Sequence, residues 1–315
     1  MPSDLERMAA ELASRIGRPV ATNVPMSRYT TWRIGGPADL LVVPRSVEEL
    51  ETAVQWAGEE GLPVTVVGAG SNLLVLDGGI RGLVIRTAYG LTVLRAEDDR
   101  LIAGAGVSLP ALVRMAVRRG WGGLEFLAGI PGTVGGAVVM NAGTDKAYIG
   151  ERVRRVGLMD WCGRRYSLLA EDIAFSYRFS SLQEEKAVVI EVELEVQPGK
   201  DPQVMAAAVE QRLSARRAKQ PYRWPSAGSV FKNPPGWISA GWLIEQVGAK
   251  GLTRGAAKVA EEHANFILNL GGATAEDVVG LIEEVRRRVK EKFGVELELE
   301  VRLVGEPRGV GEWQG

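Results

Sequence analysis

The chain has 315 residues, 46% of them apolar and 24% charged, with a formal net charge of −1. That is the make-up of an ordinary globular protein with room for two or three lobes, each with its own core. It lacks the basic excess of a nucleic-acid protein, and no stretch approaches the roughly 18 uninterrupted apolar residues of a membrane span.

From the N-terminus, Met1 to Ile16 is a charged amphipathic stretch rather than a secretory signal, so a cytoplasmic protein is expected. Strands are predicted near 39–43 and 63–67. Between them lies a helix that the capping-box pattern Ser46-Val47-Glu48-Glu49 opens and Gly61 stops, making a βαβ-like unit. Residues 64–76, V-T-V-V-G-A-G-S-N-L-L-V-L, read as a strand, a glycine-rich turn and a second strand. Leu83 to Ala103 reads as short strands around the polar turn Glu97 to Arg100. Ser108 caps a helix carrying Leu112, Met115 and Val117, closed by Gly120. Strands near 153–160 and 164–169 flank a Cys162-Gly163 turn, and Glu191 to Val196 alternates as a half-exposed strand does.

Lys200 to Gln203 reads as a joint, after which Pro202 starts a helix running to about Lys219. A Pro/Trp-rich loop follows, then a short helix near 239–247 and an apolar run at 264–270. Thr274 opens a helix with Val278, Ile282, Val285, Val289 and Phe293 at helical spacing, and Val295 to Val304 alternates again. This part reads as a separate α+β lobe, and 306–315 as a loose tail.

The single cysteine, Cys162, and single histidine, His263, exclude an intramolecular disulfide framework and a zinc site of Cys or His type. Cys162 reads as incidental and His263 as a structural hydrogen-bonding residue, so acid–base chemistry must lean on Ser, Tyr, Lys, Arg, Asp or Glu.

Two glycine-rich segments carry most of the functional signal. Gly129 to Gly143 reads G-I-P-G-T-V-G-G-A-V-V-M-N-A-G, five of its glycines standing beside Pro131, Thr133 and Asn141. Such a run packs poorly as core; it fits a place where backbone N–H groups approach an anion, such as a cofactor's phosphates. A tight turn before a small-residue strand would account for only two of the glycines. The second segment centres on Gly68, Gly70, Ser71 and Asn72. Neither its G-A-G nor the one at Gly104 and Gly106 has the third glycine of a dinucleotide fingerprint, since Leu73 and Leu109 stand there.

Three further places could carry chemistry. Ser226 to Pro234, S-A-G-S-V-F-K-N-P, sets Ser229 before Lys232 and Asn233, groups suited to an anionic ligand, although such loops are common. Phe175 to Ser180 holds Tyr177 and Arg178, where an arginine can simply stack on aromatic rings. Glu300 shares a presumed strand face with Glu296, Glu298 and Arg302, which by periodicity is a solvated face. The basic run Arg212, Arg216, Arg217, Lys219 and Arg223 complements a helix C-terminus; its last three members are expected to attract an anionic substrate.

Taken together, G-A-G-S-N-L-L-V, G-I-P-G-T-V-G-G-A-V-V-M-N-A-G, Y-R-F-S, A-G-S-V-F-K-N-P, H-A-N-F-I-L-N and E-V-R-L-V-G, with T-T-W-R-I-G-G-P-A-D at 30–39, resemble the UDP-N-acetylenolpyruvoylglucosamine reductase family over residues 22 to 305. The resemblance implies an α+β fold, with a two-lobed FAD-binding domain of the vanillyl-alcohol-oxidase type and a C-terminal α+β substrate-binding domain. It implies the NADPH-dependent reduction of an enolpyruvyl UDP-sugar in peptidoglycan precursor synthesis. Carried over by position, Ser229 is the proton donor, Arg178 holds the substrate carboxylate, and Glu300, protonated or paired with Arg178, completes the catalytic set. Gly68, Gly70, Ser71, Asn72, Leu73, Gly129, Pro131, Gly132, Thr133, Gly136 and Asn141 correspond to the FAD site, and Tyr177, Lys232 and Asn233 to the substrate site. The expected limits are 1–80 and 81–200 for the FAD lobes, 201–305 for the substrate domain and 306–315 for the tail.

Two departures stand out. The family's A-Y-G-G-E after M-N-A-G is here T-D-K-A-Y-I-G-E, Thr144 to Glu151, and the loop that carries a substrate-binding tyrosine in the longer form is missing after Arg178. Neither glycine segment offers a histidine or cysteine to tether a flavin, so FAD is expected to be held non-covalently. The rival readings are an alcohol oxidase of the same cofactor fold, a nicotinamide dehydrogenase with a degenerate fingerprint and a non-enzymatic nucleotide-sugar binding module. The last would have no use for Ser229, Arg178 and Glu300 together.

Overall fold

The computed structural model describes residues 3–144, 146–236 and 238–308. Local signals set the helices. The first, α1 (Asp4–Ile16), is opened by a Ser3–Glu6 capping box and stopped by Gly17 in the left-handed region at φ 67°. After β1 (Ala21–Pro25) and β2 (Pro37–Val42), Ser46 Oγ accepts from Glu49 N at the start of α2 (Val47–Glu59). The reciprocal half of the expected box is replaced: the Glu49 carboxylate accepts from Arg45 N at 2.8 Å and pairs with Arg18 at 2.7 Å.

The G-A-G-S-N segment does not join two strands of one sheet. It separates β3 (Val64–Val67), which lies parallel to β5 (Ile80–Arg86), from β4 (Leu73–Val75), which takes its partner from the far end of the chain. The first sheet has the order β1-β2-β5-β3. The hairpin β6 (Leu94–Glu97) and β7 (Arg100–Gly104) follows, then α3 (Leu109–Arg119) between its Ser108 cap and Gly120. The glycine-rich segment forms neither an open loop nor a strand. Its middle is a six-residue helix, α4 (Val134–Val139), whose first turn is anchored by Gly135 N donating to the Ala105 carbonyl at 3.0 Å.

Next come β8 (Val153–Asp160), β9 (Arg165–Leu169), the two-residue strands β10 (Phe175–Ser176) and β11 (Phe179–Ser180), and β12 (Ala187–Glu195). Strand β12 runs antiparallel between β7 and β8 in a five-stranded sheet of order β6-β7-β12-β8-β9. Along it Val192 and Leu194 are buried while Glu193 pairs with Arg100, as the alternation predicts. The remaining elements are α5 (Pro202–Lys219), α6 (Ala240–Gln246), β13 (Thr253–Arg254), β14 (Ala257–Val259), β15 (Ile267–Asn269), α7 (Ala275–Phe293) and β16 (Arg302–Val304). Thr274 and Asp277 form a capping box at α7, and Gly294 ends it at φ 70°.

The alternation from Val295 to Val304 predicts one strand, but only its end is one. Strand β16 pairs in parallel with β4, whereas Leu299 makes a single bridge to Phe231. Glu296, Glu298, Glu300 and Arg302 therefore do not share one strand face.

The chain divides into two compact units. One holds the chain up to Thr22, Leu40–Ala69 and Gly82–Arg216; the other holds Asn23–Asp39, Gly70–Arg81 and the chain from Arg217 onward. These units cut across the linear limits at 80 and 200. Trp32, Ile34, Leu74 and Leu76 bury their side chains in the core of α6 and α7, and Trp32 Nε1 donates to Ile267 O at 2.8 Å. Met205 of α5 is buried, and Val209 and Leu213 pack against the core of the five-stranded sheet. The first unit itself holds two cores, one around α1, α2 and the first sheet and one around the five-stranded sheet. Residues 309–315 of the expected tail lie outside the described residues.

Candidate functional site

In the first unit the glycine segments converge on one hydroxyl. Thr133, at the N-cap of α4, is 2% exposed, and its Oγ1 is buried with no hydrogen-bond partner among the described residues. A side chain at Gly68 would bring its Cβ to 2.5 Å from that oxygen, and one at Gly136 to 3.5 Å. A buried, unpartnered hydroxyl costs about 1–3 kcal/mol, and here it opens onto positions kept bare of side chains. That fits an anionic ligand lying across Gly68 and Gly136 and accepting from Thr133.

Not every glycine serves that purpose. Gly70, in the second unit, is required by its own chain: at φ 65°, a Cβ there would lie 2.1 Å from Tyr29 O. At Gly129 the crowding comes from Arg216, whose Cδ would be 2.8 Å from an added Cβ. Arg216 Nε is buried and has no hydrogen-bond partner among the described residues. The helix-dipole explanation of this arginine is therefore incomplete, because its side chain folds against the start of the glycine-rich segment. Gly132 holds φ 135°, a conformation that favours glycine, next to Pro131.

Asn141, at φ 43° and 3% exposed, uses its amide inside the protein. Nδ2 donates to Ser176 O at 2.7 Å and Oδ1 accepts from Gly150 N at 3.0 Å. It ties the end of the glycine-rich segment to the hairpin of β10 and β11. That hairpin turns on Tyr177 and Arg178, with Ser176 opposite Phe179. Arg178 sits at φ 56°, donates from Nη1 to Gly143 O at 3.2 Å and lies 5.4 Å from the centre of the Tyr177 ring. Tyr177 is 39% exposed and meets Tyr148 edge-on at 6.4 Å.

The departure at Thr144 to Glu151 has a simple geometry. Gly143 bridges to Tyr148, and Thr144 N donates to Ala147 O at 2.9 Å. The chain thus leaves and returns in a tight turn, after which Ala147-Tyr148-Ile149-Gly150-Glu151 differs from the expected five residues at one position. Residue 145 lies outside the described residues.

In the second unit, Ser229 is half-buried on an extended segment held from both sides. Asn265, 4% exposed, binds both backbone groups of Phe231: Oδ1 accepts from its N–H at 2.9 Å and Nδ2 donates to its carbonyl at 2.8 Å. Opposite, Glu300 N donates to Val230 O at 2.8 Å, and Lys232 N donates to Glu298 O at 2.8 Å. Ser229 and Glu300 therefore stand on adjacent, hydrogen-bonded stretches of backbone. Asn72, expected at a cofactor, donates from Nδ2 to Glu300 O at 3.0 Å, and its carbonyl accepts from Arg302 N. Leu73 lies in β4 opposite Arg302, and Ser71 is half-buried beside it. Lys232 pairs with Glu298 at 3.3 Å, and Asn233 Oδ1 accepts from Ala240 N at 3.0 Å.

Sequence reasoning gave no role to Asn265, did not mark Thr133 as an unpartnered donor, and read Arg216 only as complementing a helix C-terminus. The signal for Asn265 was its place in H-A-N-F; for the other two there was none short of the tertiary contact. His263 is half-buried, its ring 4.7 Å from that of Phe266 and its Nδ1 without a hydrogen-bond partner among the described residues. Cys162 is exposed in the turn between β8 and β9. Among the described residues no cluster of His, Cys, Asp or Glu could hold a metal ion, and no helix is long and apolar enough to cross a membrane.

Comparison with known proteins agrees with this geometry. Residues 38–168 match the model of an FAD binding domain, and residues 220–304 match the C-terminal domain of UDP-N-acetylenolpyruvoylglucosamine reductase. The chain is 52% identical to the enzyme of that name from Moorella thermoacetica, over 96% of this chain and 99% of that one. It is 50% identical to the one from Heliobacterium modesticaldum, over 90% of each. The crystal structure of the Thermus caldophilus enzyme superposes with a TM-score of 0.77 at 41% identity, covering 90% of this chain and 98% of that one. The fold is thus the two-lobed FAD-binding domain with a C-terminal α+β domain that the motifs imply.

Proposed function

Because the chain belongs to the UDP-N-acetylenolpyruvoylglucosamine reductase family, we propose that Ser229, Arg178 and Glu300 carry its chemistry and that the glycine cradle around Thr133 holds its cofactor. The protein is an FAD-dependent oxidoreductase that uses NADPH to reduce UDP-N-acetylglucosamine enolpyruvate to UDP-N-acetylmuramate, a step of peptidoglycan precursor synthesis. Bound FAD supplies the hydride, taken from NADPH, that the enolpyruvyl group accepts.

The residues have distinct tasks. Hydride addition at the terminal carbon leaves negative charge on the carbon bearing the carboxylate. A fixed guanidinium spreads that charge, which is the task of Arg178. The resulting centre is a strong base, so a serine hydroxyl is acid enough to protonate it, and Ser229 is that donor. Glu300 works beside Ser229; as a bare carboxylate it would repel the developing charge, so it acts protonated or paired with Arg178. Tyr177, Lys232 and Asn233 contact the substrate, and Arg217, Lys219 and Arg223 attract its diphosphate.

Gly68, Thr133 and Gly136 receive the phosphates of FAD, with Gly129, Pro131, Gly132 and Asn141 completing the cradle in the same unit, and nothing tethers the flavin covalently. The unit that holds Leu40–Ala69 and Gly82–Arg216 carries the FAD phosphates, and the unit that continues from Arg217 carries the UDP-sugar. The protein works in the cytoplasm, independent of nucleic acid and membrane. The observation that carries this reading is the backbone crossing from Glu300 N to Val230 O, which makes neighbours of two proposed catalytic residues 71 positions apart in the chain.

The test is anaerobic. Purified yellow protein should bleach with NADPH and regain its colour on addition of the enolpyruvyl UDP-sugar. Bleaching without recolouring would remove the assignment of substrate. Flavin retained in an acid-precipitated pellet would remove non-covalent binding.

A further inference from the structure

The hairpin that presents Arg178 is held by a side chain with no part in any of the motifs. Gln183 ends the 3-10 turn Ser181–Gln183 that follows β11. Its amide nitrogen donates to Val139 O at 3.0 Å and to Arg178 O at 3.3 Å. Ser180, fully buried, donates from Oγ to the same Val139 carbonyl at 2.7 Å. Val139 is the last residue of α4, so its carbonyl lacks an acceptor role in the helix ladder and is open to such donors. One amide thus joins the C-terminal end of the glycine-rich helix to the backbone of the arginine.

The link matters because of where Arg178 sits. An L-residue at φ 56° occupies a conformation that costs roughly 1–2 kcal/mol and persists only when its surroundings over-determine it. The Arg178 carbonyl is held by Gln183, its guanidinium by Gly143 O, and Ser176, the last residue of β10, by Asn141. Both protons of the Gln183 amide are used, one on each carbonyl, so no smaller or purely accepting side chain reproduces the clamp.

We infer that Gln183 is a positioning residue for the reduction: it fixes the aim of the Arg178 guanidinium by tying the Arg178 carbonyl to the end of α4. This rests on the proposed role of Arg178 toward the substrate carboxylate. Gln183 itself touches neither substrate nor cofactor. A misaimed guanidinium slows the step that builds charge on the substrate and leaves the transfer from NADPH alone, since no sugar nucleotide is present then.

The experiment measures both half-reactions of the flavin-loaded enzyme, the substrate dissociation constant and the melting midpoint for Gln183→Met, Gln183→Glu and Arg178→Lys. Gln183→Met keeps the volume without the donors and should slow reoxidation by the enolpyruvyl UDP-sugar by roughly 10- to 100-fold, with reduction by NADPH unchanged. Gln183→Glu sets a carboxylate against two carbonyl oxygens at neutral pH. Protonation restores one donor, so its reoxidation rate relative to wild type should recover as the pH is lowered. That recovery, confined to reoxidation while reduction by NADPH stays constant with pH relative to wild type, is the signature a merely structural role would not produce, and it stands even if the Met variant fails to fold. Equal loss of both half-reactions without pH recovery, or two variants as fast as wild type while Arg178→Lys is slow, overturns the inference and leaves the role of Arg178 intact. Normal reoxidation in Arg178→Lys overturns the role of Arg178, and the inference with it.

Discussion

Gly68 leaves open the space in front of the Thr133 hydroxyl: a Cβ at residue 68 would lie 2.5 Å from Oγ1, a buried atom that has no hydrogen-bond partner among the described residues. A donor without an acceptor and a residue without a side chain are complementary halves of a binding surface. The pairing also makes the two parts separately testable.

Thr133→Val keeps the shape and removes the hydroxyl. In the apoprotein this removes a buried, unsatisfied group, so the melting midpoint should hold or rise, by up to about 1–3 kcal/mol in stability. Affinity for FAD should fall about 10- to 100-fold, the worth of a hydrogen bond to a charged group. Flavin fluorescence titration reads the second effect and calorimetry of the apoprotein the first. Unchanged FAD affinity would leave Thr133 outside the cofactor site. Gly68→Ala should weaken FAD binding by filling the same space.

The left-handed backbone at Arg178 separates stability from activity. Arg178→Ala and Arg178→Gly both remove the guanidinium and should both block reoxidation by substrate. At φ 56°, however, glycine is relieved of the strain that alanine retains, so the glycine variant should be the more stable by about 1 kcal/mol. Denaturant melts of the two proteins compare them directly, and an alanine variant as stable as the glycine variant would mean the turn relaxes on its own.

Ser229→Ala should leave flavin reduction by NADPH intact while slowing reoxidation by more than the roughly 10²–10⁴-fold typical of a general acid. Ser229→Cys should recover part of the rate, because a thiol also donates a proton. Stopped-flow absorbance resolves the two steps. If the alanine variant loses both equally, the serine holds the fold or the flavin instead.

Acid should destabilise the protein through His263. Burial, and secondarily the charge of Lys250, holds its imidazole below the usual pKa. The folded state therefore favours the neutral ring, whereas the unfolded chain takes up a proton near pH 6.5. The stability this group contributes is complete above about pH 6.5 and is lost as the pH falls toward the folded-state value. Melting midpoints from about pH 7.5 to about pH 5.5 should fall in the wild type and fall less in His263→Gln. Parallel curves would assign the acid sensitivity to other groups.

The sequence by itself determined the elements whose hydrogen bonds close locally. Ser46, Ser108 and Thr274 open their helices and Gly120 and Gly294 close theirs, because a cap is satisfied within about four residues of its own position. The order of the motifs carried the family, the cofactor and the reaction. What only the tertiary structure decided depends on groups distant in the chain. Strand β4 finds its partner in β16, and Asn72 holds Glu300 across 228 positions, so a turn that reads as joining two neighbouring strands joins two different sheets. The same distance hid the reason for Gly70, which is the backbone of Tyr29, and the breaking of the Val295–Val304 alternation, where Phe231 and Val230 take the pairing. It also hid the clamp of Gln183 on Arg178, only five residues away but dependent on α4 for its other anchor. Periodicity reports which side of an element is apolar, whereas a partner is chosen by packing and by the need to satisfy every buried backbone group, and that accounting closes only in three dimensions.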